Sequence, residues 1–251
     1  MPDELVHYSA ADAVATVVLD SPHNRNALSR QLVSELSEAL DRAEADPGVR
    51  VVVIRQEGPV FCSGADLSEA AGGSMEEGAR GLIALLRRIT TLDKPVVARV
   101  SGAVRAGGIG IVGACDIVVA AHDATFALTE VRLGLAPAVI SLVLLPRMSS
   151  RSAAMTFLSG SLFTGTEAAD NGLVTRAVME EDLDTEIAGL CASLAKGHPQ
   201  GLRETKKLLN KELIEHIDTG ADETAALSAR LFASDGAREA MLAFLDRRKP
   251  R

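Results

Sequence analysis

The sequence predicts an α/β fold with a helical C-terminal region, and three observations carry that prediction. Short, almost uninterrupted runs of β-branched and aliphatic residues recur through the first half, as strands covered on both faces require. Apolar stripes with helical spacing lie between them. From about Leu183 onward only helical patterns remain. The strand runs are Ala13–Asp20, Val49–Gln56, Pro95–Val100 and Asp116–Ala121. Between the first two, Leu32, Val33, Leu36, Leu40 and Ala43 mark one helix face, ended by Asp46-Pro47-Gly48. Between the second and third, Ser74 and Glu77 form a capping-box pattern. Leu82, Ile83, Leu86 and Ile89 then give the stripe of a helix running to about Leu92. In the tail, Gly201, Gly220 and Gly236 punctuate helical segments carrying Leu208, Leu209, Ile214, Leu227 and Leu231. The 251 residues divide into a core of 1–182 and a helical region of 183–251 that packs on it or supplies an oligomer surface.

Composition narrows the function. Hydrophobic residues are 47% and charged residues 24% of the chain, ordinary globular usage. A net charge of −8 without a Lys/Arg cluster argues against nucleic acid, and aromatics at 3% leave few stacking platforms. Cys62, Cys115 and Cys191 are too dispersed for a disulfide framework or a zinc site, and the five histidines have no metal-ligand spacing. The N-terminus has neither a basic segment nor an apolar stretch of signal-peptide type. The longest charge-light apolar run, near Leu133–Pro146, is about 14 residues where a membrane span needs about 20. A cytoplasmic protein is expected.

Gly108-Ile109-Gly110-Ile111-Val112-Gly113 matches the dinucleotide fingerprint letter for letter. Its context does not. Ser101–Ala106 separate it from the preceding strand, and the next strand begins near Asp116, too soon for a full crossover helix. Bare glycines at a helix start nevertheless let a ligand approach backbone N–H groups. Phe61-Cys62-Ser63-Gly64-Ala65-Asp66-Leu67 is a second small-residue loop after a strand. The two loops are either tight turns or a pair of N–H donors aimed at one oxygen, an oxyanion hole.

With these pieces in order, the chain resembles the crotonase (enoyl-CoA hydratase/isomerase) family. The resemblance runs through Asn26-Ala27-Leu28, FCSGADL at 61–67, KPVVARVSGAV at 94–104, AGG at 106–108, CDIVVAA at 115–121, FALTEVRLGLAP with Phe126 and Glu130, and TGTEAADNGLV at 164–174. It implies a crotonase-like ββα superhelix core with a C-terminal helical region, assembled as a homotrimer or a dimer of trimers. It further implies an acyl-CoA thioester substrate, with coenzyme A as part of that substrate and no separate cofactor or metal. By motif position the amides of Ala65 and Gly107 would polarise the thioester carbonyl. Ser63, Gly64, Asp66, Leu67, Gly108 and Pro137 would contact substrate or CoA, and Glu130 would be the catalytic acid/base.

The departures from the family are informative. Hydratases of the family carry two glutamates, and the first position is Gly110 here. Ala138 stands where dienoyl-CoA isomerases place an aspartate, and Ala136–Ser141 replaces a glycine-rich stretch. Single-glutamate members include Δ3,Δ2-enoyl-CoA isomerases and bacterial hydratases of branched acyl-CoAs such as the 3-methylglutaconyl-CoA type, and the tract EVRLGLAPAVIS is more similar to the latter. The leading expectation is a hydratase. The alternatives are an isomerase using one glutamate, a decarboxylase or hydrolase, and a catalytically weak acyl-CoA-binding scaffold. Among other residues, Asp66 reads as a loop cap, Asp116 as a backbone partner, and Cys62 as no nucleophile. Arg105 points to solvent or meets an acidic acyl group. Lys206, Lys207, Arg247, Arg248 and Lys249 sit on solvated helix faces, where one could meet CoA phosphates.

Overall fold

The computed structural model describes residues 4–66, 69 and 75–246, with side chains through 243. The predicted α/β class holds. Among the described residues, ten strands form two sheets. The larger has the order β1 (Val6–Ala11), β2 (Val14–Leu19), β3 (Val51–Gln56), β5 (Val96–Val100), β7 (Ile117–Ala121) and β10 (Arg176–Val178). The smaller has the order β4 (Val60–Cys62), β6 (Ala103–Arg105), β8 (Thr125–Ala127) and β9 (Phe163–Thr164). β1 with β2 and β8 with β9 are antiparallel, and every other pairing is parallel.

The connectivity is a superhelix. β3 and β4 followed by α2 (Met75–Thr91), β5 and β6 followed by α3 (Gly107–Ala114), and β7 and β8 followed by α4 (Ala138–Leu144) each add one strand to each sheet and then one helix. The larger sheet matches the four apolar runs, because its central strands are buried on both faces; β3 is buried at all positions but Arg55. α1 (Arg30–Ala45) starts where Ser29 accepts a hydrogen bond from the Leu32 amide and buries Leu32, Leu36, Leu40 and Ala43. The capping pattern read at Ser74 lies outside the described residues. The core is continuous, with Leu19, Ile54, Phe61, Leu86, Ile89, Ile109 and Phe126 inaccessible to solvent or nearly so. Each such side chain contributes roughly 1.5–3 kcal/mol by burial.

After α5 (Ser150–Ser159) and α6 (Gly165–Asp170), the tail comprises α7 (Leu183–Leu194), α8 (Pro199–Phe232) and α9 (Asp235–Asp246). The glycines read as punctuation do not break α8, which continues through both Gly201 and Gly220. At Gly220 the reason is packing: a Cβ there would lie 2.6 Å from Leu142 of α4. The break comes instead at Ser234, whose hydroxyl accepts from the Ala237 amide. Among the described residues, no helix is long and apolar enough to cross a membrane.

Lys206 corrects the sequence reading. It is buried, not solvated, and its ammonium pairs with Asp116 at 2.8 Å while donating to the carbonyls of Ile89 and Lys94. Asp116 also accepts from the Val96 amide and from Asn210, which in turn donates to the Thr90 carbonyl. A helical pattern hides this because one lysine among polar neighbours reads as surface. Burial lowers the Lys206 pKa, and Asp116 opposes that shift. Lys206→Met leaves Asp116 as a lone buried charge and is expected to destabilise the fold by about 3–5 kcal/mol, whereas Lys206→Met with Asp116→Asn recovers part of the loss. Denaturant titration of the three chains checks this.

Candidate active site

Parallel pairing brings the site together. In the smaller sheet Val60 and Cys62 of β4 align with Ala103 and Val104 of β6, and Arg105 aligns with Ala127 of β8. The C-terminal ends of three neighbouring strands therefore emerge side by side. The first continues into Ser63–Asp66, the second into Ala106 and α3, and the third into a 3-10 turn of Thr129–Leu133 that carries Glu130.

The first two loops touch. Gly64 adopts φ +93°, open only to glycine at low cost, and a Cβ there would lie 2.8 Å from the Ala106 Cβ and 3.7 Å from the Gly107 nitrogen. A Cβ on Gly107 would meet Leu28 at 2.7 Å and Leu82 at 3.2 Å. Ala65 forms a parallel bridge with Leu28, in which the Leu28 amide donates to the Gly64 carbonyl and the Asp66 amide donates to the Leu28 carbonyl. Strand alternation then directs the Ala65 N–H away from Leu28. Gly107 opens α3, where the first amides have no partner within the helix. Ala106 precedes it at φ 47° and ψ −122°, a sparsely populated conformation for a residue with a Cβ.

Glu130 lies three residues beyond Ala127, whose carbonyl accepts from the Ala106 amide. The chain between them spans at most about 10 Å. Phe126 and Leu128, four and two residues before it, are fully buried, and the Glu130 Oε2 is shielded from solvent with no hydrogen-bond partner. Burial pushes its pKa from 4.5 to about 7, against a small opposing contribution from its own backbone amide. α9 closes over this turn: a Cβ on Gly134 would lie 3.1 Å from Ala237.

Position 110 is closed. A Cβ on Gly110 would lie 2.6 Å from Ile140 of α4 and 3.3 Å from Leu86 of α2, so no side chain fits without repacking. Gly108 packs on Cys62, whose thiol is buried and pushed up to about 12, which leaves it inert. Pro137 is buried at the start of α4, where its carbonyl accepts from Ser141. Asp66 accepts from Asn24, and its carbonyl accepts from the Glu69 amide, a cap geometry. Leu67, Arg247, Arg248 and Lys249 lie outside the described residues. Among those described, no cluster of three or more His, Cys, Asp or Glu could hold a metal.

Arg105 takes neither course read from the sequence. It is half-buried and donates to the carbonyls of Val104 and Thr125 and to the Thr125 hydroxyl, bracing β6 against β8. Arg25 was missed. It is exposed, held at φ 61°, and its carbonyl accepts from the Ser63 amide, which places a cation at the edge of the first loop. Only its position one residue before Asn26-Ala27-Leu28 could have signalled it. Asn26 itself is a strut, accepting from Ser21 and donating to the Val60 carbonyl.

The Glu130 pKa has a consequence for stability. Because folding raises the value from 4.5 to about 7, the folded chain holds the proton more tightly, so the contribution is complete below about 4.5 and is lost as pH rises through about 7. Glu130→Gln should therefore be more stable than the parent above neutral pH, by up to about 3 kcal/mol, and no more stable in mild acid. Melting curves across that range check the sign.

Comparison with known proteins gives the family of the chain. The profile of the enoyl-CoA hydratase/isomerase family matches residues 9–251. A crystal structure of an enoyl-CoA hydratase from Mycobacterium avium superposes with a TM-score of 0.92 at 48% identity, covering 99% of this chain and 98% of that one. Mevalonyl-coenzyme A hydratase of Aspergillus fumigatus is 32% identical over 245 residues, 94% of this chain and 90% of the relative. The Delta(3,5)-Delta(2,4)-dienoyl-CoA isomerase of Arabidopsis thaliana is 29% identical over 265 residues, 99% of this chain and 95% of the relative. The chain belongs to the enoyl-CoA hydratase/isomerase (crotonase) family, whose enzymes act on acyl-CoA thioesters.

Proposed function

We propose that the protein hydrates a 2-enoyl-CoA, with the thioester carbonyl held by the Ala65 and Gly107 amides and Glu130 as the acid/base. What carries this reading is the juxtaposition, at three adjacent strand ends, of two helix- and loop-terminal amides and one desolvated carboxyl. Glu130 as the carboxylate takes a proton from water as the oxygen bonds to C3. The electrons of the double bond move onto the thioester oxygen, where fixed amides stabilise the enolate without reorganising. The carboxylic acid then returns a proton to C2, so that one water is added and Glu130 is regenerated. Ser63, Gly64, Asp66, Gly108 and Pro137 would flank the substrate, and Arg25 would meet a CoA phosphate. No cofactor is required beyond the CoA of the substrate.

The closed position 110 favours a second reading, Δ3,Δ2-isomerisation, in which the single carboxylate moves a proton between C4 and C2 and no water is consumed. Product formed in water labelled with heavy oxygen separates the two: label bonded at C3 supports hydration, and turnover without label supports isomerisation.

We also propose assembly as a homotrimer or dimer of trimers. Leu158 of α5 is 77% exposed and Leu208 and Leu209 of α8 are 78% and 76% exposed, apolar surface that a second copy would cover. A monomer in sedimentation equilibrium would refute this.

Glu130→Gln is expected to lower kcat at least about 100-fold while acyl-CoA binding survives. In the parent, kcat/KM should rise with pH through about 7 as the carboxylate forms. Arg25→Ala should raise KM and leave kcat nearly unchanged, as loss of uniform binding does. Steady-state kinetics on crotonyl-CoA reads all three.

A further inference from the structure

We propose that Asn24 and Asn26 are positioning residues: they hold the Ser63–Asp66 loop so that its one uncommitted amide, that of Ala65, aims at the thioester carbonyl. The inference rests on the reading that this carbonyl sits at the Ala65 and Gly107 amides.

The loop is shaped from outside. The Ser63 N–H donates to the Arg25 carbonyl at 3.1 Å, and the Ser63 hydroxyl donates to the Asn24 carbonyl at 3.2 Å. The Gly64 carbonyl accepts from the Leu28 amide at 2.8 Å, and the Asp66 N–H donates to the Leu28 carbonyl at 3.5 Å. The Gly64 N–H is turned to the Cys62 sulfur. Among the described residues, the Ala65 N–H is the amide of this loop left without an acceptor. Apart from the contact with Cys62, each of these bonds runs to residues 24–28. That segment is therefore the template on which one donor is singled out.

The template is in turn fixed by its two asparagines. Arg25 and Asn26 are consecutive left-handed residues, at φ 61° and 53°, a region that asparagine tolerates better than most side chains. Asn26 is 1% exposed; its Oδ1 accepts from the Ser21 amide at 2.6 Å, and its Nδ2 donates to the Val60 carbonyl at 2.8 Å. Val60 opens β4, the strand that runs into the loop. Asn24 works at the other end. Its Oδ1 accepts from the Ser21 hydroxyl and the Ala27 amide, while its Nδ2 donates to the Asp66 carboxylate at 3.2 Å. Asn26 thus ties the template to the strand entering the loop, and Asn24 ties it to the loop's exit. A Cβ on Gly64 would lie 3.7 Å from the Gly107 nitrogen, so a shift of this loop moves one proposed donor relative to the other. Donors that must converge on a single oxygen lose their effect when either is displaced.

Infrared difference spectra of butyryl-CoA, isotope-labelled at its thioester carbonyl, report polarisation without turnover. Bound to the parent, the carbonyl stretch should lie below its value in water. Asn26→Gly leaves the left-handed backbone open while removing both side-chain bonds. Asn24→Asp keeps the acceptor for Ser21 and Ala27 and removes the donor to Asp66. Each should return the stretch most of the way to its value in water. On crotonyl-CoA each should lower kcat at least about tenfold with KM within about threefold, the split that loss of a transition-state contact gives. A bound stretch that stays at the parent value in both variants, or a loss confined to KM, overturns the proposal. Should Asn26→Gly not fold, Asn24→Asp decides alone, because Asn24 is only half-buried. A parent stretch equal to that in water sinks the carbonyl reading and this proposal with it. A parent stretch that is lowered, and restored by the variants, without turnover of crotonyl-CoA supports the positioning role and sinks the hydratase reading alone.

Discussion

The molecule is organised around one helix that can be approached from every side. All eight residues of α3 are buried, and four of them are glycines. The β4 loop, α2 and α4 each pack into the space that a missing Cβ leaves at positions 107, 108, 110 or 113. Glycine within a helix costs roughly 0.5–1 kcal/mol relative to alanine through chain entropy. That cost is offset by the density of the core it allows, with Cys62, Leu86, Ile140 and Leu144 reaching nearly to the helix backbone. The same closeness exposes the first amides of α3 at a place where the β4 loop arrives beside them.

The site itself is built from locally unfavourable choices. Ala106 is held in a conformation that alanine avoids, Gly64 at positive φ, and Glu130 with an unpartnered buried oxygen. Strained backbone and desolvated carboxyl concentrate where sheet pairing and the fully buried Phe126 and Leu128 over-determine the geometry. A stability optimum would remove all three. Their co-location at three adjacent strand ends is what supports the proposed function.

How much of this was legible in the amino-acid order follows from the range of the interactions. β3, β5 and β7 were visible because strands buried on both faces are continuously apolar. β4, β6 and β8 were not, since three residues each carry no periodicity. The two glycine loops stood out in the sequence itself, but Glu130 could be found only through the resemblance, since its proximity to them is made by pairing across the smaller sheet. The glycine at 110 was noticed as a departure, but its cause lies thirty residues away in Ile140. Arg105 and Lys206 were misread for a related reason. Charged side chains are surface residues by default, and only the fold reveals carbonyls waiting for them.

The Lys206–Asp116 pair has a consequence for how this chain can diverge. The two residues are ninety positions apart, one ending the turn that follows α3 and the other inside the tail helix α8. Either partner replaced alone strands the other in the interior, so a lineage cannot drift at one position while the second waits. Core and tail are thus tied as inheritance units: a tail exchanged between homologues would be accepted only with a compatible residue at 116. For this chain, exchange of the tail is constrained at that one contact more than along the face of α8 that meets solvent.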